Sequence, residues 1–324
     1  MRAIVNREYG SADVLELQEV ARPTIEPNEV VVQVRASSAN PYDWHLLTGL
    51  PYTSRVQFGF FRPKVQCLGA DVAGVVEAIG DSVTRFSVGD EVFGAAEHAG
   101  AFAEYMPIRD EDLAHKPTGS TFEQAAATPM AALTALQGLR DQARLQPGMH
   151  VLINGASGGV GTFAVQIAKY LGAEATGVCS TRNVALVRSI GADHVVDYTR
   201  EDFTDGGAKY DVILDNVGNR GISACRRALK PKGVYVASFG QPEHRWTGPL
   251  LQLGRSLLLS LFVGQKVRVF VSKVTVADLL ILKELVEAEK LVAVIDRTYP
   301  LEEAGAAMAY LEEGHARGKV VVTI

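Results

Sequence analysis

The sequence is poor in cysteine: Cys67, Cys179 and Cys225 are the only three in 324 residues. Their odd number, their wide spacing and the lack of any C-x-x-C pair exclude a disulfide framework and point to a reducing compartment. A basic excess is also missing. Thirty-two Lys and Arg against 37 Asp and Glu leave a net charge of −5 with no long basic run, so nucleic acid is not an expected partner. No apolar run reaches the ~20 residues needed to span a bilayer, so no integral membrane segment is expected. The most apolar stretch, 249–263, is interrupted by Arg255 and reads as a core or subunit-contact helix. The start, Met1-Arg-Ala-Ile-Val, enters strand-like sequence with no leader pattern, and the expected location is cytoplasmic. Internal repeats and low-complexity segments are absent.

What is present is enough apolar residue, 47% of the chain, to build a large core, and the length suggests two domains. The first part reads as short strands at 30–36, 74–79 and 91–93, punctuated by Gly80, Gly89 and Gly94. A helical bridge over 121–139 follows, opening Ser120-Thr-Phe-Glu like a capping box. Then comes the most informative segment. An apolar strand at 151–153 runs into a turn with Gly155, Gly158, Gly159 and Gly161. A helix follows, with Phe163, Ile167 and Leu171 on one face.

Strand, glycine turn and helix start, in that order, suit a dinucleotide pyrophosphate: the backbone comes close and unpaired N–H groups face the anion. The pattern is not strict, since Ala156 stands at the first position of G-x-G-x-x-G, with Gly158 and Gly161 completing it. Such a turn can also be simply a tight turn, so its surroundings decide. Gly172 closes the helix, a strand follows at 174–179, a helix at 183–190 ends in Gly191-Ala192, and further strands follow at 194–197, 211–215 and 234–237. That rhythm predicts a doubly wound parallel sheet, and Gly155, Ser157, Gly158, Gly159, Val160 and Gly161 are assigned to the cofactor. Beyond it, helix (276–288), strand (291–296), helix (301–314) and strand (319–324) are predicted to return to the first domain.

One absence inside this domain is specific. NAD-selective sheets of this kind end their second strand in an Asp or Glu that binds the ribose 2′-hydroxyl. Here the strand ends Val178-Cys-Ser-Thr-Arg. Ser180, Thr181 and Arg182 offer hydroxyls and a guanidinium, which favours a phosphate dianion. The expected cofactor is NADP(H).

Several motifs, in order, resemble the zinc-free, quinone-oxidoreductase-like branch of the medium-chain dehydrogenase/reductase superfamily. They are Ser38-Ala-Asn-Pro-Tyr-Asp-Trp, Gly69-Ala-Asp-Val-Ala-Gly-Val-Val, Val88-Gly-Asp-Glu-Val-Phe-Gly, Gly100-Ala-Phe-Ala-Glu-Tyr, Ala131-Ala-Leu-Thr-Ala-Leu, the glycine turn, and Gly314-His-Ala-Arg-Gly-Lys-Val-Val-Val. The resemblance implies an α/β protein with a discontinuous GroES-like β-rich catalytic domain (1–122 and 271–324), a Rossmann domain (123–270), a cleft between them, and a homodimer. It places Tyr198, Asn216, Val217, Gly218, Ser238, Phe239, Gly240, Thr134 and Lys319 near the cofactor, with a surface lysine as the alternative for Lys319. It also sets Asn40, Ala70 and Met130 where zinc-dependent relatives carry ligands, so no metal is expected. Without a Lewis acid, hydride delivery to a quinone or α,β-unsaturated carbonyl is favoured over alcohol oxidation. The developing oxyanion wants a hydrogen-bond donor; Asn40, Tyr42, Asp43 and Tyr52, in a first-domain loop, are the catalytic candidates. A zinc-free carbonyl or alcohol dehydrogenase and a nonenzymatic NADPH-binding interaction protein are the alternatives.

Overall fold

The computed structural model describes residues 1–207, 209–238 and 264–324. The expected positions Phe239 and Gly240 and the apolar stretch 249–263 lie outside the described residues. The chain divides into one unit of Met1–Leu133 with Val274–Ile324 and a second of Thr134–Lys273. The crossings therefore fall at 133/134 and 273/274 rather than at 122/123 and 270/271.

The first unit is built on a seven-stranded sheet. Its path runs Ile295–Pro300, Lys319–Thr323, Glu29–Ala39, Asp71–Ile79, Glu91–Ala95 and Leu113–His115, with Tyr105–Arg109 also pairing Glu29–Ala39. Lys319–Thr323 pairs antiparallel with Glu29–Ala39, Val320 opposite Ala39, so the C-terminal segment completes the N-terminal sheet as expected. The predicted strand at 291–296 forms four residues later, at Ile295–Pro300. It pairs parallel with Lys319–Thr323 across the helix Ala304–Glu312. Residues 40–48 are not a loop: Pro41–Thr48 is a helix with Asn40 as N-cap and Gly49 in the left-handed region (φ +60°) closing it.

The predicted bridge helix is two helices, Phe122–Ala126 and Pro129–Gln137. Pro129 has no N–H and disfavours helical backbone in the residue before it, so it starts a helix and cannot continue one. The capping box belongs to Thr121 and Gln124, not Ser120 and Glu123: Thr121 Oγ1 accepts from the Gln124 N–H at 3.2 Å.

The second unit carries a six-stranded, wholly parallel sheet in the order His194–Asp197, Glu174–Cys179, His150–Asn154, Tyr210–Asp215, Leu229–Ala237, Lys266–Val269. Successive strands are added outward to one side of His150–Asn154 and then, from Tyr210–Asp215, to the other, so the switch point where ligands of such sheets sit lies between these two strands. The helix Gly159–Tyr170 buries Phe163, Ala164, Ile167 and Ala168 against the sheet. Phe163 alone contributes about 1.5–3 kcal/mol of burial.

Candidate active site

In the second unit the glycine turn is shaped by backbone need. Gly155 has φ +78°, which a side chain strains. A Cβ on Gly161 would lie 2.0 Å from the Gly155 carbonyl oxygen, so the helix can approach the turn only without one. Gly158 is the N-cap, and a Cβ there would meet only that same oxygen, at 3.5 Å, so the space beyond it is open. The first N–H groups of the helix, from Gly159 to Gly161, have no partner within it. This cradle fits a pyrophosphate.

Beyond the second strand, Ser180 precedes the short turn Thr181–Asn183 and Arg182 is exposed. Thr181 Oγ1 donates to Asp197 Oδ2 at 2.5 Å, so its proton is held inside the fold. Asp197 is kept below the usual carboxylate range by that hydroxyl, by Thr199 and by Arg200. Tyr198 follows the third strand and is 48% exposed.

At the end of the fourth strand lies a cluster the sequence reasoning missed. Asp215 is wholly buried. Its Oδ1 accepts from the N–H groups of Val217 (3.0 Å) and Gly218 (2.8 Å) and from Asn154 Nδ2 (2.9 Å). Its Oδ2 accepts from the Tyr235 hydroxyl at 2.7 Å. Burial and this carboxylate push the Tyr235 hydroxyl far above its ordinary pKa. Asn216 donates to the Asn154 carbonyl at 3.0 Å and accepts from Ser238 Oγ at 2.5 Å. Asp215 thus fixes the loop 216–218 in place. The signal was legible in Asp215-Asn-Val-Gly at a strand end, a turn sequence whose acid caps following N–H groups. Thr134, in the same unit, has its hydroxyl 2.9 Å from Ser272 Oγ.

In the first unit, Asn40, Asp43, Asp71 and Lys319 form a buried polar cluster. Lys319 is 3% exposed, which overturns the surface-lysine reading. Its ammonium donates to Asn40 Oδ1 at 2.5 Å and lies 3.2 Å from Asp71 Oδ2. An ammonium only donates, so the Asn40 amide orientation is fixed. Its Nδ2 then donates to the Ser38 carbonyl and to Asp71 Oδ2, each at 3.0 Å. Asp71 also accepts from Ser38 Oγ at 2.6 Å and from the Met130 N–H at 2.8 Å.

Asp43 is fully buried and accepts the N–H groups of Asn40 (2.9 Å), Gly69 (2.9 Å) and Ala70 (3.1 Å). Burial, seconded by the charge of Asp71, pushes its pKa up to about 6 against the pull of those N–H groups and of Lys319. The structure therefore holds both side-chain N–H donors of Asn40 and both oxygens of Asp43 in hydrogen bonds within the unit. The Tyr42 hydroxyl donates to the Glu97 carbonyl at 2.6 Å, and burial pushes it up to about 12. Tyr52 lies on the turn Tyr52–Ser54 with the Arg55 guanidinium 4.8 Å from its ring centre. Cys67 Sγ faces three carbonyls at 3.5–3.7 Å, and burial pushes it up to about 12, so it is no thiolate at neutral pH. Among the described residues no group of three or more His, Cys, Asp and Glu is placed to hold a metal. No helix among them is long and apolar enough to cross a membrane.

A GroES-like β unit and a dinucleotide-type parallel sheet define the class of oxidoreductases built from that pair, and the comparisons agree. Residues 26–118 match the alcohol dehydrogenase GroES-like domain and residues 190–322 the zinc-binding dehydrogenase domain. The mouse mitochondrial NAD(P)H oxidoreductase RTN4IP1 is 35% identical, over 100% of this chain and 89% of its own. A quinone oxidoreductase from Coxiella burnetii superimposes with a TM-score of 0.88 at 31% identity, covering 100% of this chain and 99% of that one. The Escherichia coli quinone oxidoreductase complexed with NADPH gives a TM-score of 0.85 at 26% identity, with 100% of both chains covered. The chain belongs to the medium-chain dehydrogenase/reductase family and is quinone-oxidoreductase-like.

Proposed function

We propose that this protein is an NADPH-dependent, zinc-independent oxidoreductase that reduces a quinone or an α,β-unsaturated carbonyl. The observation that carries the reading is the glycine cradle of Gly155–Gly161 followed, after the second strand, by Ser180 and exposed Arg182 in place of an acid. NADPH, when bound, supplies the hydride; the chain's work is to hold and orient it. Gly155, Gly158, Gly159, Val160 and Gly161 take the pyrophosphate, and Ser157 is a further cofactor contact of the same turn. Ser180 and Arg182 take the 2′-phosphate, with Tyr198 beside the adenosine. Asn216, Val217, Gly218 and Ser238, braced by Asp215, line the nicotinamide ribose side together with Thr134. The names of the relatives, an NAD(P)H oxidoreductase and an NADPH-bound quinone oxidoreductase, support the same chemistry.

Zinc-independence rests on donor chemistry. Where metal ligands would stand, the Asn40 carbonyl oxygen already holds an ammonium, and Ala70 and Met130 offer no thiolate or imidazole. A second cation beside Lys319 would be repelled. Asn40, Asp43 and Lys319 are positioning residues, and the proton that completes reduction of the acceptor comes from water. The proposal extends to a homodimer in the cytoplasm, the latter supported by three free cysteines.

The test is steady-state turnover of a quinone and enone panel with NADPH and NADH, with Arg182→Ala alongside. Turnover of at least one acceptor with NADPH is expected. Arg182→Ala should weaken NADPH by about tenfold, the loss of a charge-assisted contact, and leave NADH unchanged. Equal effects on both cofactors would remove Arg182 from the 2′-phosphate, and no turnover of any acceptor with NADPH bound would sink the activity.

A further inference from the structure

Asn183, a buried side chain beside the cofactor cradle, has no part in the proposed function, yet a role for it can be derived if that function holds. It ends the turn Thr181–Asn183 and is 5% exposed. Its Nδ2 donates to Ser157 Oγ at 3.0 Å and to Ser180 Oγ at 3.3 Å. It thus ties the glycine turn to the end of the second strand. The direction of these bonds follows from counting orphans. In this amide, only Oδ1 is buried without a partner. Turned over, the amide would leave two N–H donors in that place instead of one acceptor, the costlier arrangement.

Each serine oxygen therefore accepts from Asn183 and keeps its own proton for another partner. Neither hydroxyl has a further hydrogen bond among the described residues, and both serines are half-buried, not sealed. Two acceptors on one amide nitrogen stand roughly 5 Å apart by hydrogen-bond geometry, within the span of one phosphate group. Thr181 differs, because its proton goes to Asp197. We propose that Asn183 is a specificity-determining positioning residue: it turns the Ser157 and Ser180 hydroxyls outward as a pair of donors to the 2′-phosphate of the cofactor. A phosphate dianion only accepts and so gains from a donor pair, whereas a ribose 2′-hydroxyl donates as well as accepts and gains less. Discrimination between the two cofactors is then set by a buried amide as well as by Arg182.

The experiment is calorimetric binding of NADPH, NADH, 2′,5′-ADP and 5′-AMP to the full chain, with Asn183→Leu, Ser157→Ala/Ser180→Ala and the triple variant. Asn183→Leu removes the amide at similar size and adds no charge. It should weaken NADPH and 2′,5′-ADP by about tenfold while NADH and 5′-AMP change by less than about threefold, and the double serine variant should do the same. In the triple variant Asn183→Leu should add nothing further to the loss of selectivity. The proposal is overturned if Asn183→Leu weakens NADH as much as NADPH, which is the mark of a merely structural turn. It is also overturned if the serine variant leaves the NADPH-to-NADH ratio unchanged. The serine variant decides by itself if Asn183→Leu does not fold. An unsubstituted chain that binds NADH better than NADPH would bring down the cofactor reading itself, and this proposal with it. That result is distinct from the other outcomes because it needs no variant.

Discussion

Removing the buried ammonium of Lys319 should be among the most damaging single changes to the first unit. In Lys319→Met, Asp71 remains wholly buried without its cation. Breaking a buried pair from one side costs about 3–5 kcal/mol, because the surviving charge has lost its compensation. Asp71 retains Ser38 Oγ, Asn40 Nδ2 and the Met130 N–H, so the lower end, about 3 kcal/mol, is expected. The second change, Asp71→Asn, should give part of this back. With Lys319 gone, an amide at 71 carries no charge to leave uncompensated, and its oxygen can still accept from Ser38 Oγ and Asn40 Nδ2. The assay is urea unfolding followed by Trp44 fluorescence in a Trp246→Phe background, which leaves one tryptophan in the chain, in the first unit. The double variant should be more stable than Lys319→Met by at least ~1 kcal/mol, a coupling expected of residues in one network. A loss below ~1 kcal/mol in Lys319→Met, or a double variant no better than the single, would refute the reasoning.

Two further outcomes come from the same geometry. Asp43 holds its proton more tightly in the fold, at about 6, than its ordinary value of 3.8. Its contribution to stability is complete below about pH 4 and is lost as pH rises through about 6, up to ~3 kcal/mol at ~1.4 kcal/mol per pH unit. Asp43→Asn should flatten the difference in Trp44-reported melting across that window; an unchanged slope would show that Asp43 titrates normally. Gly161→Ala puts a Cβ 2.0 Å from the Gly155 carbonyl oxygen, and should lower stability by about 1–3 kcal/mol and weaken NADPH binding. Gly158→Ala meets only a 3.5 Å contact, so it should melt like the unsubstituted chain while still binding NADPH less well. Equal melting temperatures for all three proteins would count against the close approach of helix and turn.

What could be read in the sequence was whatever backbone geometry imposes locally. The edge strand Lys266–Val269 was not foreseen, but the glycine turn, the Gly172 helix end (φ +77°) and the other five of the six parallel strands of the second unit appeared where composition placed them. So did the return of Lys319–Thr323 to the first sheet. The misplaced features were decided by partners far away in the chain. Arg2–Val5 was legible as strand-like, but its partners were not: it pairs with Glu16–Glu19 and bridges to Ala103 and Cys67. Ile295–Pro300 takes its register from Lys319–Thr323 rather than from the apolar run at 291–294 that precedes it. The break at Pro129 was legible and was missed: Thr128-Pro129 forbids a continuous helix on steric grounds alone.

The two buried carboxylates explain why the site was harder to read than the fold. Asp71 is met by groups from positions 38, 40, 130 and 319, and Asp215 by groups from 154, 217, 218 and 235. In each case one strand-borne acid is satisfied by four donors, all of them remote in sequence for Asp71 and two of the four for Asp215. An ionised carboxylate buried with fewer donors would take up a proton or destabilise the fold, so a full set of donors is the condition for its burial. A carboxylate so surrounded holds its neighbours in one arrangement: Asn40 at a helix start in the first unit, the 216–218 loop at a strand end in the second. Sequence reasoning named Asn40, Asn216, Val217, Gly218 and Lys319 because they carry family motifs. It passed over Asp215, whose turn signal was legible, and over Asn154 and Tyr235, since a lone Asn or Tyr in a strand shows nothing until the sheet brings it to the carboxylate.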